Sequence, residues 1–288
     1  MYRTRVVDTA VADVLTYSGG LLIEGVRACG KTETGRRHAR SEVALDSGAP
    51  AVEAILAADP GLLLRGEAPR LLDEWQLEPS LWNRVRREID VRQAKGQFIL
   101  TGSSVPAEDA QRHSGAHRIS RIRMRPMTLA EQGRGTGTVS LASLFKGEEL
   151  PVSLDGTVSV PDALQALAHG GWPGDLEATT AQAQRHLRDY AEDIASRDLL
   201  RLDGESRRDP DRMRILLRSL ARNLATEVKY ATIAQDMSAA MPVKAETVAA
   251  YIGALQRLFV VETQPAWAPH LRSRAAIRTT AKLHFADP

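Results

Sequence analysis

The stretch GVRACGKT at residues 25–32 follows a short apolar run, LLIEG, and precedes a polar segment with helical character. It fits the pattern G-x-x-x-x-G-K-[ST] at every fixed position: Gly25, Gly30, Lys31 and Thr32. In this pattern the glycines permit tight turns, and successive backbone N–H groups point into one concavity that holds phosphates. A chance match in a turn is the alternative, but the strand before the loop and the helix after it favour a nucleotide site.

We predict that all residues of this loop, and the residue that follows it, contact the nucleotide. They are Gly25, Val26, Arg27, Ala28, Cys29, Gly30, Lys31, Thr32 and Glu33. The N-terminal end of the next helix adds a partial positive charge for an anion. Lys31 can reach the β- and γ-phosphates of a nucleoside triphosphate, and the Thr32 hydroxyl can ligate Mg²⁺.

Acidic and hydroxyl side chains end two later strands. LLDEW at 71–75 carries Asp73 and Glu74, and ILTGSS at 99–104 carries Thr101. If the first of these strands lies beside the strand of the loop, Asp73 can hold a Mg²⁺-bound water, and Glu74 can orient or deprotonate the attacking water. Thr101 can hydrogen-bond the γ-phosphate or that water. Either segment could also be an ordinary strand end.

Arginines follow in SGAHRISRIRMRP at 114–126. An arginine that reaches the γ-phosphate held by a neighbouring subunit would stabilise charge in the transition state. We choose Arg118 for this role and expect most of the other arginines to be solvated on a strand face.

The first half of the chain alternates short apolar runs with helical patterns. The runs are LLIEG, SEVALD, RLLDEW and QFILTG, and helical candidates lie at 31–40, 50–58 and 79–94. RIRMRPM at 121–127 is a candidate fifth strand. This alternation predicts an α/β fold in which a parallel sheet is flanked by helices.

The second half is mainly helical. Helical spacing at 185–202 and 209–225 is followed by a short helix, a turn, a longer helix and the strand LFVVET at 258–263, an order that is typical of a winged helix-turn-helix. We therefore predict three parts. They are an α/β phosphate-loop domain at 1–140, a linker or loop region at 141–175 and a mainly α winged-helix domain at 176–288.

Composition excludes several classes of protein. The 288 residues suit two domains, and a net charge of +2 gives no strong nucleic-acid signal. Cys29 is the one cysteine, which excludes an intrachain disulfide and disfavours a cysteine-based metal site. Its thiol is either a redox group or, more simply, a small side chain that fills space. No signal-like segment or 18-residue apolar window is present, so a cytoplasmic protein is expected.

These motifs together resemble a known family, the bacterial and archaeal AAA+-like P-loop ATPases with a C-terminal DUF4143 module. The N-terminal resemblance lies in IEGVRACGKT, LLDEWQ, FILTGSS and RMRPMTLAEQG, and the C-terminal one in GGWPG, DYAEDIASRDL and the segment at 230–267. The resemblance implies an additional-strand P-loop ATPase that uses ATP and Mg²⁺. Members of the family continue further, so it also implies a C-terminally truncated member.

Three functions are compatible with these patterns. An ATPase would hydrolyse Mg²⁺-ATP through Glu74 and drive the winged helix. A nucleotide-gated switch would hold ATP with negligible turnover and take DNA or a protein as its partner. A defective remnant would have lost its effector, and its last strand would lack sheet neighbours.

A basic stripe of three arginines is relevant to which partner the chain binds. Arg214, Arg218 and Arg222 lie at i, i+4 and i+8 of a predicted helix and could contact the phosphates of duplex DNA. A solvated helix face is the alternative.

Overall fold

The computed structural model describes residues 2–104, 115–135, 139–149, 158–198, 209–267 and 280–287. Its N-terminal part is a sheet flanked by helices. The strands are β1 (Gly20–Glu24), β2 (Ser41–Ala44), β3 (Arg70–Asp73), β4 (Phe98–Gly102) and β5 (Ile119–Arg123). The helices are α1 (Val7–Tyr17), α2 (Lys31–His38), α3 (Pro50–Ala58) and α4 (Leu81–Arg92). The predicted alternation of strands and helices is therefore confirmed.

The sheet has the order β2-β3-β4-β1-β5, and every pair of neighbours is parallel. The role predicted for Asp73 assumed that β3 lies beside β1, but β4 lies between them. This interposed strand is the additional strand that the family resemblance implied. Because all five strands are parallel, their carboxyl ends still share one edge of the sheet.

Burial explains why these segments form strands. The central strands β1 and β4 are buried along almost their whole length and are near-continuous apolar runs, as expected of parallel strands covered on both faces. The edge strand β5 exposes Arg121 and Arg123, and charges on an edge strand discourage pairing with another chain.

Two apolar clusters cover the two faces of the sheet. One includes Leu22, Leu72, Phe98 and Leu100 from the strands, with Trp75 and Trp82. The other includes Leu21, Ile23, Leu71 and Ile99, and it continues into Met213, Leu216, Ile252 and Phe259 of the C-terminal part. Alternate residues of β1 point to opposite faces, so Leu21 and Leu22 belong to different clusters. The C-terminal part thus packs on one face of the sheet through a shared core.

The region after the sheet contains α5 (Leu141–Phe145), α6 (Val160–His169) and α7 (Thr180–Asp193). Capping boxes begin α6 at Ser159 and α7 at Thr179. The described residues of the segment interpreted as a linker, 141–175, therefore include the α-helices α5 and α6. The helix predicted over 185–202 begins earlier, at Thr180, and ends in a π-helical turn, Ile194–Asp198. Residues 199–202 of that prediction lie outside the described residues.

The C-terminal part contains α8 (Pro210–Arg222), α9 (Tyr230–Ser238) and α10 (Ala245–Arg257), then β6 (Val261–Gln264) and β7 (Lys282–Phe285). β6 begins three residues later than predicted, because Phe259 turns the chain with φ 59° after α10 ends. β7 pairs antiparallel with β6, so the last strand does have a sheet neighbour, contrary to the remnant hypothesis. Among the described helices, none has the length and apolar character to cross a membrane.

Candidate functional site

The loop Gly25–Thr32 joins β1 to α2 at the carboxyl edge of the sheet. Gly30 has φ 101° and Ala28 has φ 63°, so the chain turns twice through the left-handed region. A Cβ on Gly25 would lie 2.0 Å from the backbone oxygen of Met124, so only glycine fits there. The start of the loop therefore lies close against Met124, the residue that follows β5.

The loop leaves amide groups for an anion. The first-turn N–H groups of α2 have no intrahelical acceptor, and Gly30, the N-cap, has no side chain that could accept from them. The positive end of the helix dipole lies at the same place. The cradle therefore suits a phosphate chain. Glu33 contributes no carboxylate to it, because that side chain is exposed and pairs with Arg36 at 2.7 Å.

The Lys31 side chain crosses the loop. It is 4% exposed, and Nζ donates a hydrogen bond of 2.8 Å to the backbone oxygen of Val26. The ammonium group is therefore held within the cradle, on a flexible stem that can turn it toward a phosphate oxygen.

Side chains from three elements meet at the carboxylate of Asp73, which is 6% exposed. Thr32 Oγ1 donates to Asp73 Oδ1 at 2.9 Å, and Thr101 Oγ1 donates to the same oxygen. The backbone N–H of Glu74 donates to Thr101 Oγ1 at 3.3 Å. The structure thus brings the loop hydroxyl, the strand-end carboxylate and the β4 hydroxyl together. The oxygen donors that Mg²⁺ prefers are present here, so the residues fit that ion.

Residues 18–132 match the AAA domain family. Residues 161–288 match a different family model, a domain of unknown function (DUF8612). The sequence motifs of the C-terminal part resemble DUF4143, and this match does not confirm that resemblance. A search of the curated proteins found no match.

The fold of the whole chain is similar to that of the Walker-type ATPase PABY2304 of Pyrococcus abyssi, with 14% sequence identity and a TM-score of 0.57. The match covers 100% of this chain and 96% of that one. The Orc1 protein of Aeropyrum pernix, solved in complex with DNA, matches with 13% identity and a TM-score of 0.32, over 100% of this chain and 90% of that one. A DNA replication initiation factor matches with 14% identity and a TM-score of 0.32, over 88% and 92%. The first likeness confirms the predicted fold class, a P-loop ATPase sheet followed by a mainly α part.

Glu74, which follows β3, has an unusual backbone. Its φ of 54° and ψ of 45° place a non-glycine residue in the left-handed region, a conformation that is concentrated at functional sites. Its carboxylate accepts hydrogen bonds from Ser103 Oγ, at 3.1 Å, and from Gln76 Nε2. Gln76 was not predicted from the sequence. The signal was its place two residues after Glu74, in the turn that follows β3.

A cavity of about 520 Å³ opens beside Glu74, between the N-terminal sheet and the C-terminal part. One wall is formed by loop and strand-end residues, including Arg27, Glu74 and Ser103. The other is formed by Tyr190, Asp193, Arg197 and Asp198 of α7 and its π-helical turn. The resemblance segment DYAEDIASRDL includes these residues, but its pattern did not indicate that they face the loop, since contacts between distant segments leave no local pattern.

The Cys29 thiol is completely buried within the loop. Burial raises its pKa, against smaller opposing effects of the Lys31 and Arg5 charges. The thiol therefore stays protonated near neutral pH, which makes it a poor nucleophile and supports the space-filling role.

Arg118 lies away from this network. It precedes β5, its backbone oxygen accepts from the N–H of Gly20 at the start of β1, and its side chain pairs with Asp90 at 2.7 Å. These contacts place it at the amino edge of the sheet, opposite the loop. Action on a neighbouring subunit stays a prediction.

The basic stripe on α8 is partly neutralised. Arg214 pairs with Glu192 and Asp211, and Arg222 pairs with Asp236 at 3.2 Å. Arg218 is exposed. A DNA backbone would therefore have to displace carboxylates from two of the three arginines.

A buried ion pair between Arg5 and Glu131 contacts the backbone of the loop. Arg5 donates from Nη1 to the backbone oxygen of Cys29 at 2.8 Å, and its Nε pairs with Glu131 at 3.1 Å. Both side chains are less than a tenth exposed. Burial raises the pKa of Glu131. The N–H groups of Thr128 and Val6 and the Arg5 charge lower this pKa by a larger amount, so the net pKa lies below the ordinary value.

We expect Glu131→Gln to lower the free energy of unfolding by about 3 kcal/mol at pH 7, because it leaves the buried Arg5 without its counter-charge. Since the folded pKa is depressed, the carboxylate stabilises the fold above its ordinary pKa of 4.5, and that contribution is lost as the pH falls below it. Urea unfolding followed by circular dichroism at pH 7 and pH 4 measures both effects.

The matched control is Glu177→Gln, which removes an exposed carboxylate that pairs with Arg3 on the surface. It should unfold like the wild type. A gap between wild type and Glu131→Gln that stays constant from pH 7 to pH 4 would contradict this assignment.

Proposed function

We propose that this chain binds Mg²⁺-ATP at the loop Gly25–Thr32 and hydrolyses it. The observation that carries the proposal is the 2.9 Å contact between Thr32 Oγ1 and Asp73 Oδ1, with Glu74 next in the chain and facing the cavity. Lys31 and the loop amides would hold the β- and γ-phosphates, and Thr32 and Asp73 would hold the metal. The preference for adenine rests on the family resemblance. In addition, the sequence has no N-K-x-D motif that would recognise guanine.

The proposed reaction is in-line attack of water on the γ-phosphate, which releases ADP and inorganic phosphate. Bound Mg²⁺ supplies positive charge that stabilises the transferring phosphoryl group. Glu74 orients the water and accepts its proton. Ser103 and Gln76 hold the carboxylate of Glu74, and Thr101 holds its backbone N–H, so the base is fixed before the water arrives.

The C-terminal part is proposed to act as a winged-helix module that responds to the nucleotide. Its support is the order of α9, a turn, α10 and β6, which the sequence pattern predicted, together with the antiparallel pairing of β6 with β7, which it did not predict. The core shared with the sheet and the cavity wall formed by α7 give this module direct contact with the site. Family membership in DUF4143 stays a prediction.

Duplex DNA is proposed as a partner through Arg214, Arg218 and Arg222. These side chains share one face of α8, although Arg214 and Arg222 already pair with carboxylates. We therefore expect weak contact that depends steeply on salt.

The test is steady-state release of phosphate from Mg²⁺-ATP by the purified chain, with and without duplex DNA. We expect turnover that Lys31→Ala abolishes. Stimulation by DNA would support the stripe as its binding surface, and turnover indifferent to DNA would direct the search to protein partners. Tight ATP binding without turnover would replace hydrolysis by the nucleotide-gated switch.

A further inference from the structure

We propose that the C-terminal part latches the phosphate loop through Arg27, so that nucleotide binding and this contact oppose each other. The inference rests on the proposed nucleotide site and concerns its regulation. The Arg27 latch consists of Arg27, Tyr190, Asp193 and Asp198.

The latch holds Arg27 by both its side chain and its backbone. Nη2 pairs with Asp193 at 3.0 Å, and Nη1 pairs with Asp198 at 2.9 Å. The hydroxyl of Tyr190 donates to the backbone oxygen of Arg27 at 3.3 Å, and the Tyr190 ring centroid lies 5.9 Å from the guanidinium carbon. One residue of the loop is thus fixed by three residues of another part of the chain.

The π-helical turn Ile194–Asp198 makes this double pairing possible. Five residues of an α-helix would separate Asp193 and Asp198 by about 140° around the axis. A π-helical turn closes its hydrogen bonds between residues i and i+5, which brings two side chains at that spacing onto one side. The irregular turn therefore presents two carboxylates to one guanidinium group.

The ion pairs of Arg27 with Asp193 and Asp198 are partly shielded from solvent. The side chain of Asp198 is 11% exposed and that of Asp193 is 25% exposed, which sets them apart from fully solvated surface pairs. Burial alone would lower the pKa of Arg27, but the Asp198 and Asp193 carboxylates raise it, so the guanidinium keeps its charge.

Phosphate binding would disturb the latch at two points. Lys31 donates to the oxygen of Val26, so to reach a phosphate it must leave the residue that adjoins Arg27. Asp193 and Asp198 line the same cavity as Glu74, and their negative charges are offset by Arg27. A phosphate in the loop would compete for that cation and would repel uncompensated carboxylates.

Thermodynamic linkage relates the effect of nucleotide on the latch to the effect of the latch on nucleotide affinity. If nucleotide loosens the latch, the latch must weaken nucleotide binding by the same factor. Neutralising the two carboxylates should therefore tighten nucleotide binding, which is opposite to the usual result of removing residues from a site.

The test compares Asp193→Asn/Asp198→Asn with Glu192→Gln, which removes a carboxylate from the same helix that pairs with Arg214 instead. Isothermal titration with Mg²⁺-ATPγS should show about fivefold or tighter binding by the double variant and wild-type affinity for the control. Asp193 also pairs with Arg197 at 3.1 Å, so Asp198→Asn alone is measured as well and should tighten binding in the same direction.

Hydrogen exchange of peptides over 186–198 gives a readout that does not depend on turnover. In the wild type, Mg²⁺-ATPγS should increase exchange there. In the double variant, exchange should already be high and should not rise further. Arg27→Gln opens the same contact from the loop side and should raise exchange without nucleotide, which provides a second route if the double variant does not fold.

Failure of the latch and failure of the nucleotide site give different results. The latch would be overturned, and the nucleotide site kept, by either of two results. The first is that the wild type binds Mg²⁺-ATPγS and the double variant binds it with the same affinity. The second is that Arg27→Gln leaves hydrogen exchange over 186–198 unchanged. Absence of Mg²⁺-ATPγS binding by the wild type would overturn the nucleotide site and the latch with it.

Discussion

Replacement of Lys31 by alanine is expected to lower the affinity for Mg²⁺-ATP by about a hundredfold or more, because charge-assisted hydrogen bonds to phosphate are lost. Lys31 is buried and held across the loop by its bond to Val26, so its charge lies where the phosphates would bind. Titration calorimetry measures the loss directly.

Two further variants separate charge from packing. Lys31→Met keeps most of the buried side-chain volume and should lose the same affinity, whereas Arg37→Ala removes a positive charge from the exposed end of the same helix and should bind normally. Wild-type affinity in both Lys31 variants would remove the phosphate-loop assignment.

Glu74→Gln is expected to lower the rate of phosphate release by about a hundredfold to a thousandfold while nucleotide binding is retained. Glutamine keeps the shape and can still accept from Ser103, but it cannot take a proton from water. Single-turnover hydrolysis with the affinity measured in parallel tests both parts of this expectation.

Glu53→Gln on α3 is the matched control, since it makes the same chemical change at an exposed site away from the loop. It should hydrolyse at the wild-type rate. Equal turnover in Glu74→Gln would take Glu74 out of catalysis, and loss of binding would show that its role is to hold the loop.

Most of the strands, several of the helices and the centre of the site could be predicted because their signals are local, whereas α1, α5 and α6 were not predicted. Gly25, Gly30, Lys31 and Thr32 are fixed by the backbone geometry of one turn. The strand ends at Asp73 and Thr101 lie at one edge because the strands are parallel, and they touch because β3 and β4 are neighbours in the sheet. Strand order itself was not predictable from adjacent residues, and β4 separates β1 from β3.

Charge patterns were less informative. Arg118 and the stripe at Arg214, Arg218 and Arg222 were chosen for residue type and spacing, which show where a cation lies but not which carboxylate faces it. In the structure Arg118 pairs with Asp90, and Arg214 pairs with Glu192 of another helix. Arg27, assigned as part of the loop, also pairs with two carboxylates of the C-terminal part.

The phosphate loop, the alternation that builds a parallel sheet and the carboxylate that follows β3 could all be inferred from residue order alone. Each of these depends on backbone geometry and hydrophobic periodicity over a few residues. The folded chain was needed to show that Thr32, Asp73 and Thr101 share one network, that Ser103 and Gln76 contact Glu74, and that Asp193 and Asp198 pair with Arg27 of the loop. Such contacts join residues between two and 171 positions apart, and their energies depend on burial and distance, which no local pattern encodes.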